Sequence, residues 1–324
     1  QDMTLFSMVF LACGLMMASC SDEKATQPTA AFSVDASELS VNESVTVHFT
    51  GNAENVVIFP GDSGQDYELI NENNTGLVVN KGLFTYAYST PGLYKMVCVA
   101  TNHADAGLSI LSDTCSTWIR VIDDETEITK ISAYPVVRDE IFATQSNESD
   151  WLMAFPRKMR YQSGNPAVTL SRKLKFYTKS ASTKVSVDGV EFSAAKSYDL
   201  SKVLNITAES YEGSLREYKL HTLYYGEFKT FNVAGVKGEI ERDPFDYNNY
   251  VINISAPAGT DVKALKPTFT LFADNEKVYI DDQEQISGES VVDFTNPVTY
   301  RFVTTSTVNP EITVESTCVV NINK

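Results

Sequence analysis

The stretch VVIFPGDSGQDYE, residues Val56 to Glu68, passes from an apolar strand pattern into a cluster of turn residues. Pro, Gly, Asp and Ser favour tight turns because they preset or tolerate the backbone angles that a turn requires. The stretch GLFTYAYSTPGLYKMVCVATN, residues 82 to 102, follows with two more strand patterns around the turn Ser89 to Gly92. The apolar side chains of these strands can form the inner faces of a small sandwich. The sequence therefore predicts a β-sandwich here.

The letters Gly61-Asp62-Ser63-Gly64 also surround the nucleophile of trypsin-like serine proteases. A nucleophilic Ser needs a nearby His and a carboxylate that orients it, and in these proteases both residues precede the Ser by well over roughly a hundred positions. His48 alternates with apolar residues and is predicted on the outer face of a strand, while the other two histidines follow the motif without an active-site context. Ser63 is therefore predicted to be a structural turn residue.

The same segments resemble the PKD (polycystic kidney disease) domain, an immunoglobulin-like module. The resemblance is carried by Gly61-Asp62, Gly82 to Tyr88, Pro91 to Tyr94 and Val99 to Asn102, which occur in the order of the family. It extends over about residues 30 to 122, and one departure is Ser63 at the place of the family's usual second glycine. The resemblance implies an all-β domain.

The rest of the chain contains an internal repeat. The segment from Ser182 aligns with the segment from Asn275, so that Lys184-Val185 falls on Lys277-Val278 and Tyr198 to Leu200 falls on Val292 to Phe294, an offset of 93 to 94 residues. A period of this length in strand-rich sequence predicts two copies of one β domain.

The second copy resembles a domain of unknown function from Bacteroides surface lipoproteins. YVINISAPAGTDVKALKPTFTLF (250 to 272) and SGESVVDFTNPVTYRFVTTS (287 to 306) carry the resemblance. It is strong over residues 230 to 324 and weaker over residues 128 to 226. It implies a β fold and a location at the cell surface.

The predicted fold is all-β, with three tandem immunoglobulin-like β-sandwich modules after a lipoprotein signal peptide. The predicted segments are a signal peptide at 1–19, a lipidated Cys with an acidic tether at 20–29, a PKD-like sandwich at 30–124, repeat copy 1 at 125–227 and repeat copy 2 at 228–324.

The beginning of the chain supports this export prediction. LFSMVFLACGLMM is an apolar run of 13 residues, which suits a signal-peptide core better than a membrane span. Met17-Ala18-Ser19-Cys20 then resembles a bacterial lipobox, in which the Cys is acylated and anchors the protein to the membrane; a free or disulfide-bonded Cys20 is the alternative. The acidic residues that follow resemble the signal for the outer face of the outer membrane. Two departures, Met17 and the absence of Lys or Arg before the run, indicate an incomplete or misassigned start.

Charge and composition exclude several kinds of partner. Forty-two acidic and 26 basic residues leave a net charge of −16, which repels nucleic acid and anionic lipid head groups. No Gly-rich phosphate loop and no spacing of metal ligands occurs, so neither a cofactor nor a metal is predicted. Cys98 and Cys115 fall on adjacent strands and leave open a disulfide or two buried thiols. The acids of VIDDETEITK, residues 121 to 130, predict a solvated linker, with a Ca²⁺ site as the alternative.

Carbohydrate recognition is the remaining chemistry, because a sugar needs exposed aromatic rings beside polar side chains. ERDPFDYNNY, residues 241 to 250, is the densest such cluster, and Trp151 lies at the equivalent place in copy 1, near Arg157, Arg160 and Tyr161. The predicted ligand-binding residues are Trp151, Arg242, Phe245, Tyr247, Asn249 and Tyr250. The alternative is that Trp151 and Tyr250 begin strands and pack in the cores. Trp118 is predicted to be a sandwich residue.

An enzyme is not predicted. The pair Asp281-Asp282 could suggest a glycosidase, but copy 1 has Asp188-Gly189 at this place, which predicts a hairpin turn. The resemblances imply a non-catalytic surface lipoprotein that binds a polysaccharide or oligosaccharide, or that assists a Sus-type uptake system and contacts its outer-membrane transporter. A structural or adhesive protein that binds another protein is the alternative.

We predict that Cys20→Ala moves the protein out of the membrane fraction, because the acylated Cys is its anchor. Fractionation of expressing cells followed by immunoblotting measures this, with Cys13→Ala as the control because Cys13 lies inside the apolar run. Unchanged membrane association of the Cys20 variant would contradict the lipoprotein prediction.

Overall fold

A computed structural model describes residues 26–62, 64–69, 76–79, 82–104, 107–135, 139–159, 167–243 and 245–323. The predicted signal peptide, Cys20, Ser63, Arg160 and Tyr161 lie outside these residues. The described residues form 27 strands and one 3-10 turn, arranged in six sheets. The chain is therefore all-β with three β-sandwich modules, as the sequence predicts. It divides into two compact units between Val121 and Ile122.

The first unit contains one sandwich. Its strands are β1 (Phe32–Val34), β2 (Glu38–Ser40), β3 (Ser44–Phe49), β4 (Asn55–Phe59), β5 (Leu77–Val78), β6 (Leu83–Ala87), β7 (Gly92–Ala104) and β8 (Ser109–Ile122). One sheet has the order β1-β3-β6 and the other the order β2-β8-β7-β4-β5. Alternation decides which residues face inward, since Val45 and Val47 are buried while His48 is exposed, as predicted.

The turn after β4 is fastened by two tyrosines of β6 and the residues that follow it. Tyr86 donates its hydroxyl proton to the carboxylate of Asp62 at 2.8 Å, and Tyr88 donates to the carbonyl oxygen of Pro60 at 2.9 Å. Burial, together with Asp62, raises the pKa of Tyr86 to about 12. Gly61 adopts φ +90, where a side chain would also meet the backbone of Lys95. The spacing of the turn and the two tyrosines in this segment thus has a structural cause.

Cys98 and Cys115 lie directly opposite each other on β7 and β8, and their thiols are free. Burial raises the pKa of Cys98 to about 12 and also raises that of Cys115. A thiol with such a pKa is almost fully protonated at neutral pH and is therefore a poor nucleophile.

The second unit contains two sandwiches. The second sandwich has strands β9 (Ile128–Ala133), β10 (Ile141–Phe142), β11 (Thr144–Gln145), β12 (Asp150–Phe155), β13 (Ser171–Thr178), β14 (Lys184–Val187), β15 (Val190–Glu191), β16 (Ser197–Asp199), β17 (Leu204–Glu209) and β18 (Leu215–Tyr224). The third sandwich has β19 (Thr230–Val233), β20 (Val236–Lys237), β21 (Ile240–Arg242), β22 (Asn249–Ser255), β23 (Thr268–Thr270), β24 (Glu276–Ile280), β25 (Gln283–Glu284), β26 (Val298–Thr305) and β27 (Thr313–Asn323).

The two sandwiches of the second unit share one sheet topology. The larger sheet has the order β11-β12-β18-β17-β14-β15 in one and β21-β22-β27-β26-β24-β25 in the other. In each, a single parallel pair joins the second strand to the last, with Trp151 opposite Leu220 and Tyr250 opposite Cys318. Their smaller sheets have the orders β10-β9-β13-β16 and β20-β19-β23. This shared topology is what the sequence repeat predicts.

The acid pairs considered in the sequence lie in hairpin turns. Asp188 and Gly189 connect β14 to β15 with φ values of 49 and 76, and Asp281 and Asp282 connect β24 to β25. Two-residue hairpin loops favour positive φ, which Gly, Asn and Asp adopt most readily. The hairpin prediction is confirmed at both places.

The acid run at the start of the second unit is bound to the second sandwich. Asp123 accepts a hydrogen bond from Ser180, Asp124 accepts one from Ser210, and Glu125 forms an ion pair with Lys179. Hydroxyl and ammonium groups are therefore side-chain partners of these three carboxylates. Among the described residues no helix has the length and apolar character that a membrane-spanning segment needs.

Two glycines of the first unit's turn provide a matched test. We expect Gly61→Ala to lower the free energy of unfolding by about 2–5 kcal/mol, since it combines strain at positive φ with overpacking. Gly64 has φ +80 but open space around it, so Gly64→Ala should lower it by only about 1–2 kcal/mol. Urea unfolding followed by the fluorescence of Trp118 measures both, and equal losses would contradict the steric account.

Candidate functional site

The two tryptophans of the chain have opposite environments. Trp151 lies on β12 and is only 4% exposed, in the core of the second sandwich beside Met153 and Phe155. Trp118 lies on β8 and is 55% exposed, opposite Lys95 on the outer face of its sheet. The ring of Trp151 is therefore covered by protein and not available to a ligand. Trp118 belongs to a sandwich, as expected, and lies on its outer surface.

Tyr250 is also a core residue. It is 2% exposed on β22, and its hydroxyl donates a hydrogen bond to the carbonyl oxygen of Tyr247 at 3.1 Å. Burial raises the pKa of Tyr250 well above its ordinary value. Replacing this residue by Ala would remove a large side chain from the core, which typically lowers stability by about 3–5 kcal/mol. The burial of Trp151 and Tyr250 matches the alternative that both residues pack inside their sandwiches.

Arg242 forms a buried ion pair with Glu227. Its Nη2 lies 2.5 Å from both carboxylate oxygens, and the two side chains are 10% and 2% exposed. The guanidinium also lies over the ring of Tyr250, 5.6 Å from its centroid. Burial raises the pKa of Glu227, and the charge of Arg242 offsets part of that effect. Arg242 thus neutralises a carboxylate inside the protein.

Tyr247 joins the loop 242–250 to the second sandwich. Its side chain packs against the core of that sandwich, and its hydroxyl is hydrogen-bonded to Asp139. Burial and this carboxylate raise the pKa of Tyr247 to about 12. The cavity beside the loop, lined by Met159, Arg242 and Tyr250 among others, has a volume of about 10 Å³. Such a space holds at most about one water molecule, so the loop forms no sugar pocket there.

Phe245 and Asn249 are the exposed members of the predicted cluster. Phe245 is 93% exposed, so both faces of its ring are open to solvent. The Asn249 amide donates to Asp246 at 2.7 Å and accepts from Thr317 at 2.5 Å. Phe245 is therefore the most exposed of the four predicted aromatic residues, all of which the structure describes.

A second ion pair, which the sequence did not indicate, connects the second and third sandwiches. Arg157, after β12, donates to Glu276 at the start of β24, whose side chain is fully buried. The guanidinium lies 4.5 Å from the ring centroid of Tyr224 and 4.2 Å from that of Phe272. The two buried ion pairs are hereafter called the junction cluster, which consists of Arg157, Glu227, Arg242 and Glu276. Arg157 lies in the segment that the sequence nominated around Trp151, but its partner is 119 residues away.

A larger cleft lies on the outer face of the second sandwich. Its volume is about 570 Å³, within the range of about 300–1,000 Å³ that is typical of ligand pockets. Residues of β12, β17 and β18 line it, together with Val308 and Asn309 of the third sandwich. The side chains in this cleft are mostly polar, and none of them was nominated by the sequence. The sequence prediction of a sugar site relied on aromatic residues, whereas this cleft is lined by hydroxyl, amide and charged groups.

The described part of the chain contains neither a cluster of metal ligands nor a hydrogen-bonded Ser-His-carboxylate arrangement. No group of three or more His, Cys, Asp or Glu side chains in those residues could hold a metal ion. His103 pairs with Glu54 and His221 with Asp150, each at 2.8 Å. Both imidazoles are therefore oriented by a carboxylate, but no Ser, Thr or Cys of the described residues donates a hydrogen bond to either ring.

Residues 229–318 match the family model described as "SGBP, N-terminal", the N-terminal domain of surface glycan-binding proteins. The matched segment is the third sandwich, from just before β19 into β27. That family is non-catalytic and binds glycans. No curated protein matches the chain in sequence.

Solved structures with tandem β-sandwiches are similar in fold. The I-band fragment I67–I69 of titin has 12% identity over 92% of this chain and 99% of its own, with a TM-score of 0.22. A structure of carbohydrate-binding modules from the β-sandwich superfamily has 13% identity over 91% and 84%, with a TM-score of 0.24. Immunoglobulin domains 1–5 of Sidekick-1 have 11% identity over 92% and 59%, with a TM-score of 0.21. These likenesses concern the fold alone.

Arg242→Ala should destabilise the protein by about 3–5 kcal/mol, because it leaves the Glu227 carboxylate buried without its partner. Arg301→Ala is the matched control in the same sandwich, since the Arg301–Glu315 pair at 2.9 Å is largely exposed and should contribute about 0–1 kcal/mol. Chemical denaturation monitored by circular dichroism compares the two variants. A loss of stability for Arg242→Ala as small as the loss expected for the control would show that Arg242 is not a structural residue.

Proposed function

We propose that the protein is a non-catalytic glycan-binding protein of the cell surface. The observation that carries this proposal is the match of residues 229–318 to a domain of surface glycan-binding proteins. The matched segment forms a complete sandwich with its own core, so the similarity concerns a folded module.

The finer parts of the proposal rest on the sequence. Acylation of Cys20 would anchor the protein to the outer membrane with its sandwiches facing the exterior. The PKD-like resemblance of the first sandwich suits a spacer between that anchor and the following modules. We further propose that the protein serves a Sus-type polysaccharide-uptake system, in which it would deliver glycan to outer-membrane transporter components.

The charge of the protein favours neutral glycans over acidic ones. A net charge of −16 at neutral pH produces a negative potential around the molecule. Such a potential lowers the local concentration of polyanions, and salt screens this effect over about 8–10 Å. Neutral polysaccharides are not subject to this repulsion, so they are the ligands that we propose.

A protein partner is the second candidate, and the exposure of Phe245 favours it. An aromatic side chain that projects from a loop is the kind of residue that anchors a protein interface. The same ring can stack on the apolar face of a sugar, so Phe245 and Asn249 stay a prediction for glycan contact. Phe245→Ala distinguishes the two, since it should leave the fold intact and weaken binding to whichever partner uses the ring.

Binding of the purified chain in detergent to a polysaccharide panel tests the function. The panel contains dextran, mannan, galactomannan and arabinoxylan as neutral polymers, and polygalacturonate and heparin as acidic ones. We expect retardation of the protein in native gels by at least one neutral polymer, without release of reducing ends from it. Absence of binding to every polymer, or the appearance of reducing ends, would overturn the proposal.

A further inference from the structure

The cleft on the second sandwich is built from three neighbouring strands and one loop of the third sandwich. Asp150 of β12, Asn205 of β17 and Lys219 of β18 form one cross-strand row, because Lys219 pairs with both of the others. Thr207 and Glu217 form the next row. Directly paired residues project from the same face of a sheet, and alternate residues of one strand share that face. The cleft therefore has a floor of polar side chains on a rigid sheet.

Two charged side chains of this floor lack a direct polar partner among the described residues, although the charge of Lys219 also helps to lower the pKa of Asp150. Within the described ranges, the Glu217 carboxylate and the Lys219 ammonium form no hydrogen bond or ion pair, and both side chains are exposed. Their counterpart region on the third sandwich differs in this respect. Leu220 and Cys318 occupy equivalent positions in the two sandwiches. Glu217 and Glu315 each lie three residues before them and are therefore equivalent. Glu315 is paired with Arg301. The glutamate at this place is therefore unpaired in the described part of the second sandwich and paired in the third, and the place of Lys219 is taken by Thr317 in the third sandwich.

Asp150 and His221 form an oriented pair in the same cleft. His221 Nε2 lies 2.8 Å from Asp150 Oδ1, and Asn147 donates to Asp150 Oδ2 at 2.8 Å. Burial raises the pKa of Asp150, but these hydrogen bonds outweigh burial and hold the pKa below its usual range. His221 is 2% exposed, and its Nδ1 has no hydrogen-bond partner in the described part of the chain. The carboxylate is therefore held in place as an ionised acceptor.

The third sandwich closes one side of the cleft through the loop between β26 and β27. Val308 is 67% exposed and supplies an apolar surface. The backbone of Asn309 is held by Ser306 Oγ at 3.3 Å, and its side-chain oxygen accepts a hydrogen bond from the backbone of Glu311 at 3.1 Å. Among the described residues the amide nitrogen of the Asn309 side chain has no acceptor, so it can donate to a ligand. Both modules of the second unit thus contribute groups.

We infer that this cleft binds a short segment of a neutral glycan. Each sugar hydroxyl donates and accepts hydrogen bonds, so it is matched by carboxylate acceptors, ammonium and amide donors, and hydroxyl groups placed together. The C–H face of the sugar ring contacts Val308. Two carboxylates and one ammonium give the floor a negative balance, which disfavours uronate or sulfate groups. The inference rests on the proposed function and assigns its binding site.

The substitution Glu217→Ala with Lys219→Ala tests this site. The purified chain in detergent is titrated with the neutral polymer of the panel that it binds, and the dissociation constant is measured by calorimetry. We expect binding at least tenfold weaker than that of the unaltered chain. Both side chains are exposed and unpaired, so the thermal unfolding temperature should not change.

Arg301→Ala with Glu315→Ala is the matched control, because it also removes one positive and one negative charge from an outer sheet face. This control should bind within twofold of the unaltered chain. Val308→Asp is a second variant at an exposed position, and it should weaken binding several-fold by removing the apolar contact. It also tests the cleft if the first variant fails to fold.

The outcomes separate this inference from the proposed function. Binding by the unaltered chain that neither the double substitution nor Val308→Asp weakens overturns the site and leaves the function standing. Absence of binding by the unaltered chain overturns both. Equal affinity for polygalacturonate and the neutral polymer would overturn the assignment to neutral glycans.

Discussion

Two buried ion pairs determine how the second unit is assembled. A carboxylate removed from water is strongly destabilising unless a cation and hydrogen bonds replace its hydration. Glu227 and Glu276 are both buried, and each has one arginine against it. Because Arg157 belongs to the second sandwich and Glu276 to the third, separation of the two modules would leave Glu276 without its cation, whereas Glu227 and Arg242 both belong to the third sandwich. The junction cluster therefore links two otherwise independent cores.

This constraint explains why the aromatic-rich segment from Arg242 at the end of β21 to Tyr250 on β22 is not an open binding surface. Tyr250 fills a core, Tyr247 contacts the neighbouring sandwich and Arg242 neutralises Glu227. Rings beside charged and amide groups are expected of a sugar site, but the same composition suits a junction in which charges must be covered by apolar surface. Composition alone does not distinguish a residue that is offered to a ligand from one that is used inside the protein.

The repeat creates a second consequence for function. Each copy has the same six-stranded sheet, so each presents an outer face with polar residues in similar places. On the third sandwich Glu315, which lies at the place of Glu217, is paired across strands with Arg301. On the second sandwich Glu217 and Lys219 are unpaired within the described residues and lie under the neighbouring module's loop. Two related modules can thus take different roles, one as a wall of the cleft and the other as its floor.

The sequence by itself determined the fold class, the repeat and the turns, because these depend on local alternation and on residues such as Gly61 and Asp188 whose backbone angles are encoded locally. It also identified the aromatic residues of the candidate site. Only the tertiary structure decided that Trp151 and Tyr250 face inward. Both residues lie near the beginning of a strand, where the alternation of apolar and polar residues does not indicate which face is buried. The cleft could not be predicted from the sequence either. Asp150, Lys219 and Val308 become neighbours only when strands distant in sequence pair and two modules meet.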